Sequence, residues 1–134
     1  MNELARDVNE VLEHAIRGGL ETKPAERRIF LTTIAERLHL ALTINQVRST
    51  VIYQEVEQTM KAKPNIQMFV NGQLTYSDYN EYVKLATVHN IPYTVVTGTT
   101  ETPFGLVIAN KDMPVETSQP YIEDDIHKQD IEGY

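Results

Sequence analysis

Cysteine and tryptophan are both absent from the 134-residue sequence. The lack of cysteine excludes disulfides, thiolate catalysis and Cys-ligated zinc, and it is ordinary for a reducing compartment, so a cytoplasmic location is expected. Positive charge is scarce, with 12 Lys and Arg against 19 Asp and Glu and a formal net charge of −7. That balance disfavours nonspecific binding to a phosphate backbone, which rewards clustered cations. Long apolar runs are missing too. The longest uncharged stretch, residues 85–100, is broken by Thr, His, Asn and Pro, so no membrane span is expected. Residues 1–6 lack the basic start and apolar centre of a secretory signal. What remains is 41% hydrophobic, enough for one soluble domain that folds without disulfide or metal staples.

Charge is divided unevenly. Residues 1–64 hold nine basic and nine acidic groups, whereas residues 65–134 hold three basic and ten acidic. In the first half, Leu4, Val8, Val11, Leu12 and Ala15 form one apolar stripe, predicting a helix over residues 3–17 stopped by Gly18 and Gly19. Thr22, Lys23 and Pro24 suit the first turn of a second helix, whose stripe is Phe30, Leu31, Ile34, Leu38, Ala41 and Leu42. Thr43 and Gln46 stand in capping-box relation, so the chain is expected to restart a helical turn over residues 44–48. A further helix runs from Val51 or Ile52 to Ala62, ended by Pro64.

In the second half the period changes. Residues 66–70 form a short uncharged run closed by Asn71 and Gly72, which predicts a buried strand. After Thr75 or Ser77, the residues Tyr79, Tyr82, Val83 and Ala86 recur at helical spacing until Asn90, a plausible stop. Residues 91–96 are β-branched and aromatic, with Pro92 tolerable only at the strand's beginning. Strand, helix and strand within about thirty residues predict a βαβ unit with parallel strands. Residues 105–109 supply another strand. The expected fold is α+β: N-terminal helices, then the βαβ unit and a further strand, in a small mixed sheet flanked by helices. The domain is expected over residues 1–110, and residues 111–134 as an acidic, partly disordered tail.

Several short motifs follow one another along most of the chain. They are Lys23-Pro24 with Glu26-Arg27 and Phe30-Leu31, Glu36-Arg37, Ala41-Leu42-Thr43 with Gln46-Val47, Asn71-Gly72, Tyr82-Val83-Lys84-Leu85-Ala86, Asn90-Ile91-Pro92-Tyr93 and Gly105-Leu106-Val107. In this order the chain resembles the YueI-like family, small bacterial cytoplasmic domains with no assigned activity. The resemblance implies a layout like that of the small chorismate mutases and of the ribosomal proteins that bind kinked RNA. It implies no catalytic residue. Similar sequences are expected to carry Gly near Thr32 and Arg near Ala35, where this chain departs.

Ligands in open α/β sheets sit beyond the carboxyl ends of parallel strands. Asn71-Gly72 and Thr97-Gly98-Thr99-Thr100 follow the two parallel strands, so with Glu101 they form the candidate ligand-binding set. The same residues are also what turn geometry asks for. Tyr76, Tyr79, Tyr82 and Tyr93 could stack bases or pack the core. Arg27, Arg28, Arg37 and Arg48 do not form a stripe, and ion pairs with neighbouring acids suit them. His14, His39, His89 and His127 are isolated, which suits surface or boundary positions rather than a zinc site. Glu123-Asp124-Asp125 with His127 and Asp130 lacks the glycine and alternation of a calcium loop. No serine lies in a nucleophile elbow, and Asp78 with Glu101 is the one acid/base pair suggested near the strand ends.

These features favour a non-catalytic binding or regulatory module, with neither metal nor cofactor. Its partner, a protein subunit or a small polar ligand, is expected at the strand-end loops or an exposed sheet edge, and self-association is plausible. RNA binding is the alternative, resting on fold analogy and opposed by net charge. A small enzyme with a chorismate-mutase-like layout comes third, since it would need an Arg-lined pocket.

Overall fold

Where the backbone turns left-handed decides how this chain divides into helices and strands. The computed structural model describes residues 7–15, 22–98, 101–117 and 119–134. Helix α1 spans Val8–Ala15 and buries Val8 and Val11, with Asp7 accepting from the Glu10 amide at 2.9 Å. The flanking parts of the expected helix, and Gly18 and Gly19, lie outside the described residues. Helix α2 spans Thr22–Ile29, followed by a single 3₁₀ turn over Ala35–Arg37.

Leu38–Thr43 is not the end of a long second helix but strand β1. Helix α2 terminates because Leu31 takes a φ of +54°, and the Thr32 amide bonds back to the Arg27 carbonyl at 2.7 Å. This six-to-one bond around a left-handed residue is the Schellman closure. The apolar residues from Leu38 onward match a helical stripe, but they equally suit alternation along a strand. One extra residue, His39, sits between the paired positions Leu38–Ala109 and Leu40–Ile108, a β-bulge. The predicted restart after β1 is present: α3 spans Ile44–Arg48, with the Thr43/Gln46 capping box formed in both directions. Helix α4 spans Gln54–Ala62.

The βαβ unit holds as predicted. Strand β2 (Ile66–Asn71) leads through α5 (Tyr76–Val88) to β3 (Tyr93–Val96), and β2 and β3 are parallel, Met68 pairing with Tyr93 and Asn71 with Val96. Strand β4 (Phe104–Asn110) runs antiparallel to both β1 and β2, giving the order β1-β4-β2-β3. Strands β1, β2 and β3 therefore leave the sheet at the same end, where β4 enters.

Each face of the sheet is covered. Leu40, Leu42, Met68, Val70, Leu106 and Ile108 pack with residues of α3, α4 and α5, among them Val47, Val56, Met60, Tyr82 and Ala86. Leu38, Ala41, Phe69, Val96, Phe104 and Val107 pack on the other face with Val8, Val11, Ile29 and Ile131. The alternation of β2 and β4 between these groups is the two-residue period of a strand buried on both sides. Residues 111–134, set apart above as an acidic tail, include helix α6 (Asp125–Glu132), whose Ile131 is buried in the second face. Before it, the Ala41 amide donates to the Pro120 carbonyl at 2.8 Å and Ala41 bridges Tyr121, so this segment covers the outer edge of β1.

Candidate functional site at the strand exits

The sheet register brings the two expected turns together. Gly72 donates its amide to the Val96 carbonyl at 2.8 Å, continuing the parallel ladder one residue past β2. A Cβ at Gly72 would lie 2.8 Å from that oxygen and 3.1 Å from Thr97 Cγ2, so glycine is what lets the turns touch. Gly72, Thr97, Gly98 and Glu101 are exposed, and Gly98 has a φ of +71°. Thr99 and Thr100 lie outside the described residues. Asn71 is buried, and its side chain works within the fold: Nδ2 donates to the Phe104 carbonyl at 3.1 Å and Oδ1 accepts from the Gln73 amide at 2.8 Å.

Of the suggested acid/base pair, Asp78 is committed to the fold. Asp78 accepts from the Thr75 amide and hydroxyl, both at 2.9 Å, at the start of α5. Those two bonds, in that order, and then Arg48 at 3.8 Å hold its carboxyl below the usual range. The carbonyl of Glu101 accepts from the Tyr134 hydroxyl. Tyr79 and Tyr82 are buried, the Tyr82 hydroxyl accepting from the Tyr53 amide at 3.0 Å, and Tyr76 is exposed. The four tyrosines therefore do not form a stacking platform. Arg27 donates to the Thr32 carbonyl at 2.8 Å, and none of the three crevices described below has an arginine wall.

A crevice of about 220 Å³ does open at this end of the sheet, but at β1 and β4 rather than at β2 and β3. Ile44, Asn45, Thr102, Pro103, Asp130 and Tyr134 are among its walls. Asp130 accepts from the Asn45 amide at 2.9 Å and from its side chain at 2.7 Å, tying α6 to α3. A second crevice of about 280 Å³ separates α4 from α5, beside the Glu57–His89 contact at 2.8 Å. That hydrogen bond is the main cause holding the Glu57 carboxyl low. The largest of the three, about 530 Å³, lies between α4 and residues 119–122, floored by His39 and Leu40. Among the described residues neither His39 ring nitrogen has a hydrogen-bond partner, and burial, then Lys63, lowers its pKa.

The acidic run near the C-terminus is likewise structural. Asp124 caps α6 by accepting from the His127 amide at 2.9 Å, and it also accepts from Gln46 at 3.0 Å and from the Tyr53 hydroxyl. Burial first, then this bond, raises the Tyr53 pKa. His127 is not a surface residue. It is 3% exposed, beside Tyr121, and burial lowers its pKa. Among the described residues no group of three or more His, Asp or Glu is placed to hold a metal ion. No described helix is long and apolar enough to cross a membrane.

Fold and site thus define a three-layer α+β domain in which Asn71, Asp78, Asp124 and Asp130 are engaged in capping and tethering. Residues 5–120 match the family described as Protein of unknown function (DUF1694), and the chain belongs to it. It is 38% identical over 121 residues to the uncharacterized protein YueI of Bacillus subtilis (strain 168), covering 90% of this chain and 91% of that protein. The crystal structure of the YueI protein from Bacillus subtilis superposes with a TM-score of 0.80 at 37% identity, covering 92% of this chain and 96% of that one. The YueI-like resemblance and the α+β layout are both borne out.

Proposed function

We propose that this chain is a non-catalytic binding module whose recognition surface is the joined exit turns of β2 and β3. Gly72, Thr97, Gly98 and Glu101 form that surface, Thr99 and Thr100 continue it in sequence, and Asn71 braces it from beneath. The observation that carries this reading is the 2.8 Å bond from the Gly72 amide to the Val96 carbonyl, which makes one surface of two turns. Small side chains there leave main-chain groups within reach of a partner. A protein subunit suits an exposed, shallow surface of this kind better than a small ligand, which favours concave, enclosed sites. Self-association belongs to the same reading.

The test is a pull-down from native lysate with the tagged full chain, followed by mass spectrometry of proteins and small molecules. Thr97→Arg is compared with Glu116→Arg, which lies past the opposite end of β4. A protein retained by the wild type and Glu116→Arg but lost from Thr97→Arg is the expected result. Identical retained sets for all three folded chains would sink the proposal.

A further inference from the structure

The two outer edges of the sheet are treated differently. The edge of β1 is covered by Pro120 and Tyr121, whereas β3 is an outer strand on which Tyr93 is 42% exposed and Thr94 is also exposed. The parallel ladder fixes which main-chain groups face outward. The Met68 amide donates to the Pro92 carbonyl at 2.9 Å and the Gly72 amide to the Val96 carbonyl at 2.8 Å, so residues 92, 94 and 96 address β2. Tyr93 and Val95 therefore aim their amide and carbonyl groups away from the sheet.

We propose that this edge pairs with the same edge of a second copy, antiparallel about a two-fold axis at Thr94, joining two four-stranded sheets into one. The inference rests on reading the chain as a binding module, and it names the partner at the edge. The spacing is self-complementary: Tyr93 faces the partner's Val95 and Val95 the partner's Tyr93, each pair exchanging two main-chain hydrogen bonds. A register centred one pairing earlier would need the Ile91 amide, which is already donated to the Ala86 carbonyl at 2.8 Å. A later one would need Thr97, where Gly98, at a φ of +71°, begins the turn away.

The side chains agree with that register. Tyr93 and Val95 share the α5 face, because they pair with Met68 and Val70, so across the axis each forms an aromatic and β-branched pair. Thr94 meets the partner's Thr94 on the other face. Both kinds of pair are favourable between neighbouring strands. Charge is consistent as well. A chain of net charge −7 resists its own copy, but Tyr93–Val96 carries none of that charge and none of the lysines with which proteins block an exposed edge.

The test is the mass of the full chain by light scattering and sedimentation from 1 to about 200 μM. Twice 15.3 kDa is expected at the upper end. Thr94→Lys sets two like charges opposite each other at an exposed site and should raise the dimer dissociation constant at least tenfold while the circular dichroism is unchanged. Thr94→Cys introduces the sole thiol of the chain at a pair about 4.5 Å apart between Cα atoms, so mild oxidation should give a covalent dimer. A monomer throughout, a dimer indifferent to Thr94→Lys, or a folded Thr94→Cys chain that does not cross-link overturns the proposal. The exit-turn reading is judged by the differential pull-down instead, so either can fail alone.

Discussion

Helices α2 and α5 end by one backbone device built from different residues. The Thr32 amide closes onto Arg27 at 2.7 Å around Leu31, and the Ile91 amide closes onto Ala86 at 2.8 Å around Asn90. Leu31 and Asn90 have nearly the same left-handed φ, +54° and +58°. Asn tolerates that conformation and announces it in the sequence, whereas Leu pays a steric penalty and reads as one more apolar residue of a continuing stripe. Leu31 is fully buried between Phe30 and the start of the bend, so packing overrides local preference there. The difference teaches where sequence signals fail: a stop made by a polar residue is visible, and a stop made by burial is not.

The comparison breaks most sharply at Leu31. Leu31→Gly removes a left-handed penalty of roughly 1–2 kcal/mol but empties a core position whose loss costs roughly 2–5 kcal/mol. A net loss of about 2 kcal/mol in urea unfolding is expected. A neutral or stabilised variant would mean that strain, not packing, governs this end. At the other helix, Asn90→Ala exchanges a tolerant residue for an intolerant one at an exposed site, for a loss of about 1 kcal/mol by the same measurement, and Asn90→Gly should be close to neutral.

The misread span follows from the same contrast. Once the Leu31 stop is missed, Leu38, Ala41 and Leu42 extend the helical stripe, although Leu38 and Ala41 face one side of the sheet and Leu40 and Leu42 the other. The bulge at His39 blurs the two-residue period that would have marked a strand. By contrast β2, α5 and β3 were legible almost residue by residue, because Asn71-Gly72, Asn90 and Pro92 punctuate them. The site was legible in part. Parallel strands put Gly72 against Val96, as the sequence implied, but the packing of Asn71 under Phe104 depends on β4, more than thirty residues away. The Gln46–Asp124–Tyr53 cluster and the Asn45–Asp130 tie were invisible for the same reason: each joins residues about seventy or more positions apart.

Thr32 offers a smaller effect of opposite sign. Its φ is +86°, it is exposed, and its main-chain bonds to Arg27 do not use its side chain. Thr32→Gly relieves a β-branched residue in the left-handed region and adds freedom to the unfolded chain, for a net gain of about 0.5 kcal/mol. The gain should appear as a higher urea midpoint with an unchanged slope. A loss instead would show that the Thr side chain contributes at this bend, as that of Leu31 does next to it.

The smallest effect separates the two ends of α5 itself. At its start, Asp78 accepts from the Thr75 amide and hydroxyl, and these bonds lower its pKa from the ordinary 3.8. A carboxylate with a depressed folded pKa stabilises fully above its unfolded value and loses that contribution as pH falls through the folded value. The stability difference between wild type and Asp78→Asn should therefore shrink between pH 5 and about pH 2.5 in urea unfolding, with the Asp78 carboxyl carbon titrating below ordinary aspartates by NMR. The Asn90→Ala loss at the opposite end involves no titrating group and should be the same at both pH values. If the Asp78→Asn difference is equally constant, neutral hydrogen bonding rather than charge holds the first turn, and the helix is closed at both ends by geometry alone.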